Sequence, residues 1–408
     1  MTISQRFVSL VLILCLLAPF ACFAEETPET TPPPFRFMTK NDKGDDLKQL
    51  KLYLYRLGYF HTPRLNKDYD SDMIKKVKAF QKNNGLPETG DLDEATYNAI
   101  ISPDAVSAWP TLDIPSVLPE IEWPERDEEG YLVAEEPFLY ENDEMGFWAY
   151  LTKDLQITIL KCADESIPLE WFETDIKMRH GETFMTVEND PERPGTRFKL
   201  PYDIATENGY VLGFTDDFYG HRMYQKETVG IVIREGEILS SKTYRGERLA
   251  HLPNLDIMAQ YADGTLKCYY ANEKTAEELL AEGVVNTYCF GPVMIREGVP
   301  DPLVMKGHYD TKSPRQALAM YEPGHYLLLS VMGRMDSSEG TGLLRMTRML
   351  MARGVTEAFN LDGGNTLALI FNGRMLNKLA TWKNREFVRT VSSLIGVGLK
   401  EYPTETEE

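Results

Sequence analysis

Asp216-Asp217 follow the apolar run Val211-Leu212-Gly213-Phe214, and Arg315 follows Pro314, where proline presets an extended chain. Arg334 and Asp336 come just after the run Tyr326–Val331, and Asp362 precedes Gly363-Gly364-Asn365. Carboxylates can serve as acid, base or nucleophile, and guanidinium groups grip a phosphate bidentately. Together these are the groups that cleavage of a sugar phosphate requires. Gly363 and Gly364 would let the backbone approach a ligand closely and lend it N–H donors. Taken singly, an Asp-Gly pair after a strand is a plain turn and an arginine is a solvated charge; the set carries the reading. Other chemistries find no support. The six histidines show no zinc-ligand spacing. Cys289 has no histidine near it in sequence, no Gly-x-Ser-x-Gly occurs, and Ser337 and Ser338 lie in a loop without an evident base.

The elements that must position these groups run from Tyr326 to Leu376. The apolar run Tyr326–Val331 gives way to a polar segment, Gly333 to Gly342, and then to a helical stretch, Leu343 to Arg353, closed by Gly354. A second apolar run, Val355 to Leu361, stops at Asp362. Strand, helix, strand in this order predicts a right-handed crossover between parallel strands. Both polar loops then leave the same carboxyl edge of one sheet, where open α/β sheets place their ligands. Arg334, Asp336 and Asp362 are expected to converge there.

The chain opens with a secretory signal, Met1 to Ala24: Arg6 is the positive region, Phe7 to Leu17 the apolar core, and cleavage falls before Glu25. Cys22 offers lipidation as an alternative to cleavage at Ala24. The apolar run is too short to favour a membrane span, so the mature chain is expected to be secreted, extracellular or periplasmic. The net charge is −20, and −21 once Arg6 is removed with the signal, which argues against nucleic acid or an anionic membrane as partner. Cys162, Cys268 and Cys289 remain, read as buried apolar side chains rather than a disulfide framework.

Glu25 to Asp42 is rich in Thr, Pro and Glu and reads as an extended tether, with residues 25–44 in all preceding the first module. From Asp45 to Ser102 the pattern is helical. Leu47, Leu50, Leu54 and Leu57 end at Gly58; Ile74, Val77, Phe80 and Gln81 end at Gly85; Asp93 caps a third helix through Tyr97 and Ile100. The run Leu57-Gly58-Tyr59, then Val77, Ala79-Phe80-Gln81, Gly85-Leu86, Gly90 and Thr96 resembles the peptidoglycan-binding domain found beside many cell-wall hydrolases. That resemblance implies peptidoglycan or a cell-wall glycopolymer as partner.

Residues 103–137 form an acidic linker with repeated prolines, expected to pack partly on the next domain through Trp109 and Trp123. From Phe138 to Lys400 short β-runs dominate, followed by an acidic tail, 401–408. Glu235-Gly236, Asp263-Gly264, Glu297-Gly298 and Asn372-Gly373 each sit between apolar runs as hairpin turns. Helices are expected only at Thr275 to Glu282, Leu343 to Arg353 and near Pro201 to Glu207. The predicted class is α+β: a small three-helix module, then a strand-rich domain holding one βαβ unit.

Between Thr206 and Val397 the chain resembles the phosphodiester glycosidase family. The segments that carry this are Gly230 to Gly236, Phe290-Gly291-Pro292-Val293, Ser313-Pro314-Arg315-Gln316-Ala317, Gly333-Arg334, Gly340 to Leu344, Asn360 to Asn365 and Phe371-Asn372-Gly373. The resemblance implies hydrolysis of a glycosyl-1-phosphodiester, of the N-acetylhexosamine-1-phosphate type, to free sugar and a phosphomonoester. Asp362 would be nucleophile or base and Asp216 or Asp217 the second carboxylate. Arg315 and Arg334 would hold the phosphate, with Asp336, Gly363, Gly364 and Asn365 lining the site. No cofactor is needed, although carboxylates at Asp216, Asp217 and Asp362 would also suit calcium or magnesium. The family's Asn-Gly-Gly-Phe-Phe is Thr215-Asp216-Asp217-Phe218-Tyr219 here, and Asn365-Thr366 replace a Gly-Ser pair. Those departures motivate a second reading, a non-catalytic wall-glycan-binding protein with a degenerate glycosidase domain.

Overall fold

The computed structural model describes residues 32–60, 66–102, 104–109, 118–164, 166–179, 182–190, 197–216, 230–243, 255–378, 380–382 and 385–400. The signal segment 1–24 and Asp217 lie outside the described residues, as does the tail 401–408. The described part is an α+β protein, with a helical N-terminal region ahead of a strand-rich domain.

Helices Asp46–Arg56, Ser71–Asn83 and Glu94–Ile101 form the first region. The second and third start at side-chain caps: Asp70 accepts from the Asp72 and Met73 amides at 3.1 and 2.9 Å, and Asp93 from the Thr96 amide at 2.8 Å. Leu47, Leu50, Leu54, Met73, Val77, Phe80 and Ile100 close a core between them. Two expectations need correction here. Residues 32–42 do not run free as a tether: Met38 is buried and bridges to Leu92, and the Tyr97 hydroxyl donates to the Pro33 carbonyl. The polar average of that stretch hides one apolar side chain that fits a gap in the helical core. Trp109 packs backwards rather than forwards, its indole N–H donating to the Arg56 carbonyl at 2.7 Å and its ring edge-on to Tyr55. Trp123 does pack on the strand-rich domain, against Phe138 and Phe147. The two regions also touch directly, with the Tyr55 hydroxyl donating to the Pro300 carbonyl.

Nine antiparallel strands make the main sheet. In spatial order they are Phe138–Asn142, Phe147–Leu151, Leu155–Asp164, Leu169–Met178, His325–Val331, Arg315–Glu322, Glu357–Leu361, Val293–Arg296 and Val299–Pro300. His325–Val331 and Glu357–Leu361 are parallel to each other and joined by helix Leu343–Ala352, as the crossover pattern predicts. They are not neighbours, because Arg315–Glu322 lies between them, antiparallel to both. The tight turn at Gly324 pairs that strand with His325–Val331 first, leaving its other edge for Glu357–Leu361.

Alternation along these strands sends side chains to two cores. Ala317, Ala319, Leu327 and Leu329 face the helix through Leu343, Met346 and Leu350. Leu318, Leu328, Phe359 and Leu361 face Leu212, Phe214 and Ile395 of a five-stranded sheet. That second sheet runs Arg374–Met375, Leu369–Phe371, Tyr210–Phe214, Ser393–Leu399, Met185–Glu188. Both faces are covered, which is why the central strands read as continuous apolar runs. The four Gly-bearing turns all join paired strands, with Glu235 and Asn372 at φ 50° as two-residue hairpins require. Cys162, Cys268 and Cys289 are buried and form no disulfide with one another.

Two carboxyls sit deep in this domain, Asp256 at 3 % and Glu357 at 5 % exposure. Glu357 accepts from the Cys268 and Glu297 amides, and Asp256 from the Ala271 and Val293 amides, yet burial outweighs these bonds. Burial raises Asp256 to about 6 and Glu357 to about 7. A raised folded-state value means the native chain binds these protons more tightly than the unfolded chain. Their contribution is therefore fully present below about pH 4 and is lost as pH rises through 6 to 7. Thermal melts should show a midpoint higher at pH 5 than at pH 8 by about 5 °C or more. Glu357→Gln should flatten that slope; a midpoint that rises from pH 5 to pH 8 would contradict the assignment.

Candidate active site

The register brings Arg315, Arg334 and Asp362 to one rim. Arg315 pairs with Val331 and Gln316 with Leu361, so the start of one strand and the ends of its two neighbours lie side by side. Asp216 arrives at the same rim from the other sheet. Thr215, at the end of Tyr210–Phe214, is tied to Ala368 by a main-chain bond, and the Asp362 amide meets the Asp216 carbonyl at 3.5 Å. Asp362 itself is buried, with Oδ1 accepting from the Gly363 amide at 2.8 Å.

Close backbone packing sets this geometry. A Cβ on Gly363 would stand 2.4 Å from the Pro314 carbonyl oxygen, and one on Gly333 2.7 Å from the Gly340 Cα. Only glycines let the three loops press together around Pro314. Arg334, next to Gly333, is held at φ 59°, a left-handed conformation that costs a non-glycine residue about 1–2 kcal/mol. Its fork is oriented from two sides: Nη1 donates to Asn365 Oδ1 at 2.7 Å and Nη2 to Ser313 Oγ at 3.1 Å. Asn365 is itself fixed, its Nδ2 donating to the Ala380 and Phe387 carbonyls at 2.6 and 3.2 Å. A narrow crevice adjoins the cluster, lined in part by Pro314, Gly364, Leu367 and Phe387.

Charge accumulates here against the acidity of the whole chain. Burial and the nearby Arg389 guanidinium both lower the Arg334 pKa, while Asp362 works to raise it. Burial likewise lowers Arg315, with Asp362 opposing and Arg334 adding to the shift. Arg315 differs from the expectation of a phosphate grip. Its Nη2 donates to the Tyr309 and Thr311 carbonyls at 3.2 and 3.0 Å, and its Nε to the Thr341 carbonyl at 3.4 Å. It braces the loop beneath the rim and supplies field rather than a fork. Asp336 is exposed at the tip of the turn closed by Met335 and Ser338, and no described contact ties it to Asp362.

The Asp216 carboxylate is committed below the rim. Its Oδ2 accepts from Arg234 Nη2 at 3.2 Å and from Ser393 Oγ at 2.5 Å, and Glu188 lies 3.7 Å from the same guanidinium nitrogen. Arg234, Glu188, Ser393 and Arg389 carried no site assignment from sequence. The sequence hints were the place of Arg234 in the Gly230 to Gly236 segment and, for Arg389, a basic run from Lys383 inside an acidic chain. Among the described residues no group of three His, Cys, Asp or Glu side chains is gathered for a metal ion, and Asp217 is not described. No helix among the described residues is long and apolar enough to cross a membrane.

Fold and site together define an α+β domain whose rim gathers buried carboxyls and oriented guanidiniums. Residues 206–398 match the family model described as phosphodiester glycosidase, and residues 43–100 the model described as putative peptidoglycan binding domain. Each match covers less than half of the chain, so the likeness is that of two segments to these two families. A curated relative is the SPbeta prophage-derived uncharacterized protein YomE of Bacillus subtilis (strain 168), 27 % identical over 168 residues, 41 % of this chain. The match spans 25 % of that relative's length. Among solved structures, the zebrafish N-acetylglucosamine-1-phosphodiester alpha-N-acetylglucosaminidase catalytic domain, auto-inhibited by its pro-peptide, is 16 % identical. It aligns at a TM-score of 0.49 over 60 % of this chain and 83 % of that one. A hypothetical protein from Synechocystis aligns at 0.45 with 12 % identity, over 61 % and 63 %.

Proposed function

We propose that this chain is an exported, wall-associated glycosidase that hydrolyses the bond between an anomeric carbon and a phosphate. The observation that carries it is the meeting at one rim of buried Asp362 with Arg334, a guanidinium held in a strained backbone and oriented by Asn365 and Ser313. Such strain persists where surrounding structure enforces it, and it concentrates at functional sites.

In the reaction, the C1–O bond to phosphate breaks with its electron pair going to the phosphate oxygen, and an oxygen from water ends on C1. Asp362 acts as the nucleophile or as the base that takes the proton of water. Asp216, its carboxylate bonded to Arg234 and Ser393 below the rim, anchors the strand end whose carbonyl meets the Asp362 amide. Arg334 neutralises the departing phosphate, which needs less protonation than a sugar hydroxyl would. The products are a free sugar and a phosphomonoester. The N-terminal module holds the enzyme on the wall polymer that presents this linkage.

Purified protein incubated with an N-acetylglucosamine-1-phosphodiester should release N-acetylglucosamine; no released sugar sinks the hydrolytic reading. The tethering half has its own readout. The full chain should sediment with purified cell wall and should stay in the supernatant once residues 45–102 are deleted.

A further inference from the structure

Asn365 and Thr366 hold more than Arg334. The Asn365 carbonyl accepts from the Arg389 amide at 2.9 Å, and Thr366 Oγ1 accepts from Arg389 Nη1 at 3.2 Å. Two consecutive residues therefore anchor two arginines that are 55 positions apart in sequence: Asn365 fixes the Arg334 fork, and both fix Arg389. The Asn365 side chain also donates to the carbonyls of Ala380 and of Phe387, two residues before Arg389.

We propose that Arg389 is the second guanidinium of the anion site and reads the second negative charge of a phosphate monoester, with Asn365 as the residue that positions the pair. This rests on the hydrolytic reading and adds a selectivity to it. A glycosyl-1-phosphodiester carries one negative charge on its phosphate, whereas the departing phosphomonoester gains a second. A guanidinium placed to meet that second charge favours the departing state over the bound diester, which is where electrostatic stabilisation accelerates a reaction. The mutual crowding of Arg334 and Arg389, which lowers the Arg334 pKa, is relieved by a dianion between them. In a chain of net charge −20, two half-buried arginines fixed on adjacent residues form a local site for such an anion.

The test compares two probes of similar size by titration calorimetry at pH 8 with the full chain. Methyl phosphate is a dianion there, since the second ionisation of a phosphate monoester falls near pH 6, and dimethyl phosphate is a monoanion. The wild-type protein should bind methyl phosphate about tenfold or more tightly than dimethyl phosphate. Arg389→Gln should weaken methyl phosphate about tenfold and dimethyl phosphate less than threefold, collapsing the ratio. Asn365→Ala should collapse the same ratio, which a loss confined to fold stability would not do. Thr366→Val, which removes only the hydroxyl anchoring Arg389, repeats the measurement if Asn365→Ala fails to fold. No methyl phosphate binding by the wild type, equal weakening of both probes, or an unchanged ratio in Arg389→Gln overturns the proposal. Sugar release is scored separately: a chain with the expected ratio that releases no sugar keeps this inference and removes the hydrolytic one.

Discussion

Asp362→Asn should lower the rate of sugar release from a glycosyl-1-phosphodiester by about 10²–10⁴-fold, with the melting midpoint shifted by only a few degrees. The substitution is chosen to separate charge from shape. Asn keeps the length of the side chain and an oxygen that accepts from the Gly363 amide, as Asp362 Oδ1 does. It removes the negative charge facing Arg315 and Arg334, both of which feel Asp362 electrostatically. It also removes any capacity to attack C1 or to take a proton from water. Activity within threefold of wild type, measured as initial rate at saturating substrate, would show that the reacting carboxyl is elsewhere. Asp216→Asn is the natural companion. Because the Asp216 carboxylate is bonded to Arg234 and Ser393, its loss should cost stability as well as rate.

The part of this site legible in the sequence is the part dictated by local order. A strand, a helix and a second strand force two following loops to one edge, so Arg334 and Asp362 could be placed together without any contact information. The hairpins were legible for the same reason: Asn372-Gly373 and Glu235-Gly236 specify a two-residue turn wherever they occur between apolar runs. What escaped depends on long-range return of the chain. Arg389 reaches the rim because the Asn365 side chain captures the carbonyls of Ala380 and Phe387, an arrangement no spacing rule encodes. Arg234 meets Asp216 only because the Gly230–Arg234 strand comes to lie near the end of Tyr210–Phe214. Arg315 was legible in position but not in role. A side chain at a strand start can point its donors at a ligand or at its own loop, and here the Tyr309, Thr311 and Thr341 carbonyls take them. Asp336, two residues beyond Arg334, is carried to the exposed tip of a turn by the Met335–Ser338 bridge. Sequence adjacency to a site residue is therefore no guide inside a turn.

Arg334→Lys should reduce kcat/KM by about 10²–10³-fold, with most of the loss in kcat. Lysine keeps the positive charge and the left-handed backbone, so neither net electrostatics nor strain distinguishes the variant from wild type. What it loses is the planar fork. Wild-type Arg334 is locked by Asn365 and Ser313 before any substrate arrives, and a preset donor array stabilises charge as it develops without reorganising. An ammonium group on a flexible stem can meet the ground-state diester almost as well, which is why KM should move little. It cannot stay aligned as the phosphate oxygen takes up the bonding pair. A variant with unchanged kcat and a raised KM would mean that Arg334 only binds the diester, and the site would then select its substrate without helping to break it.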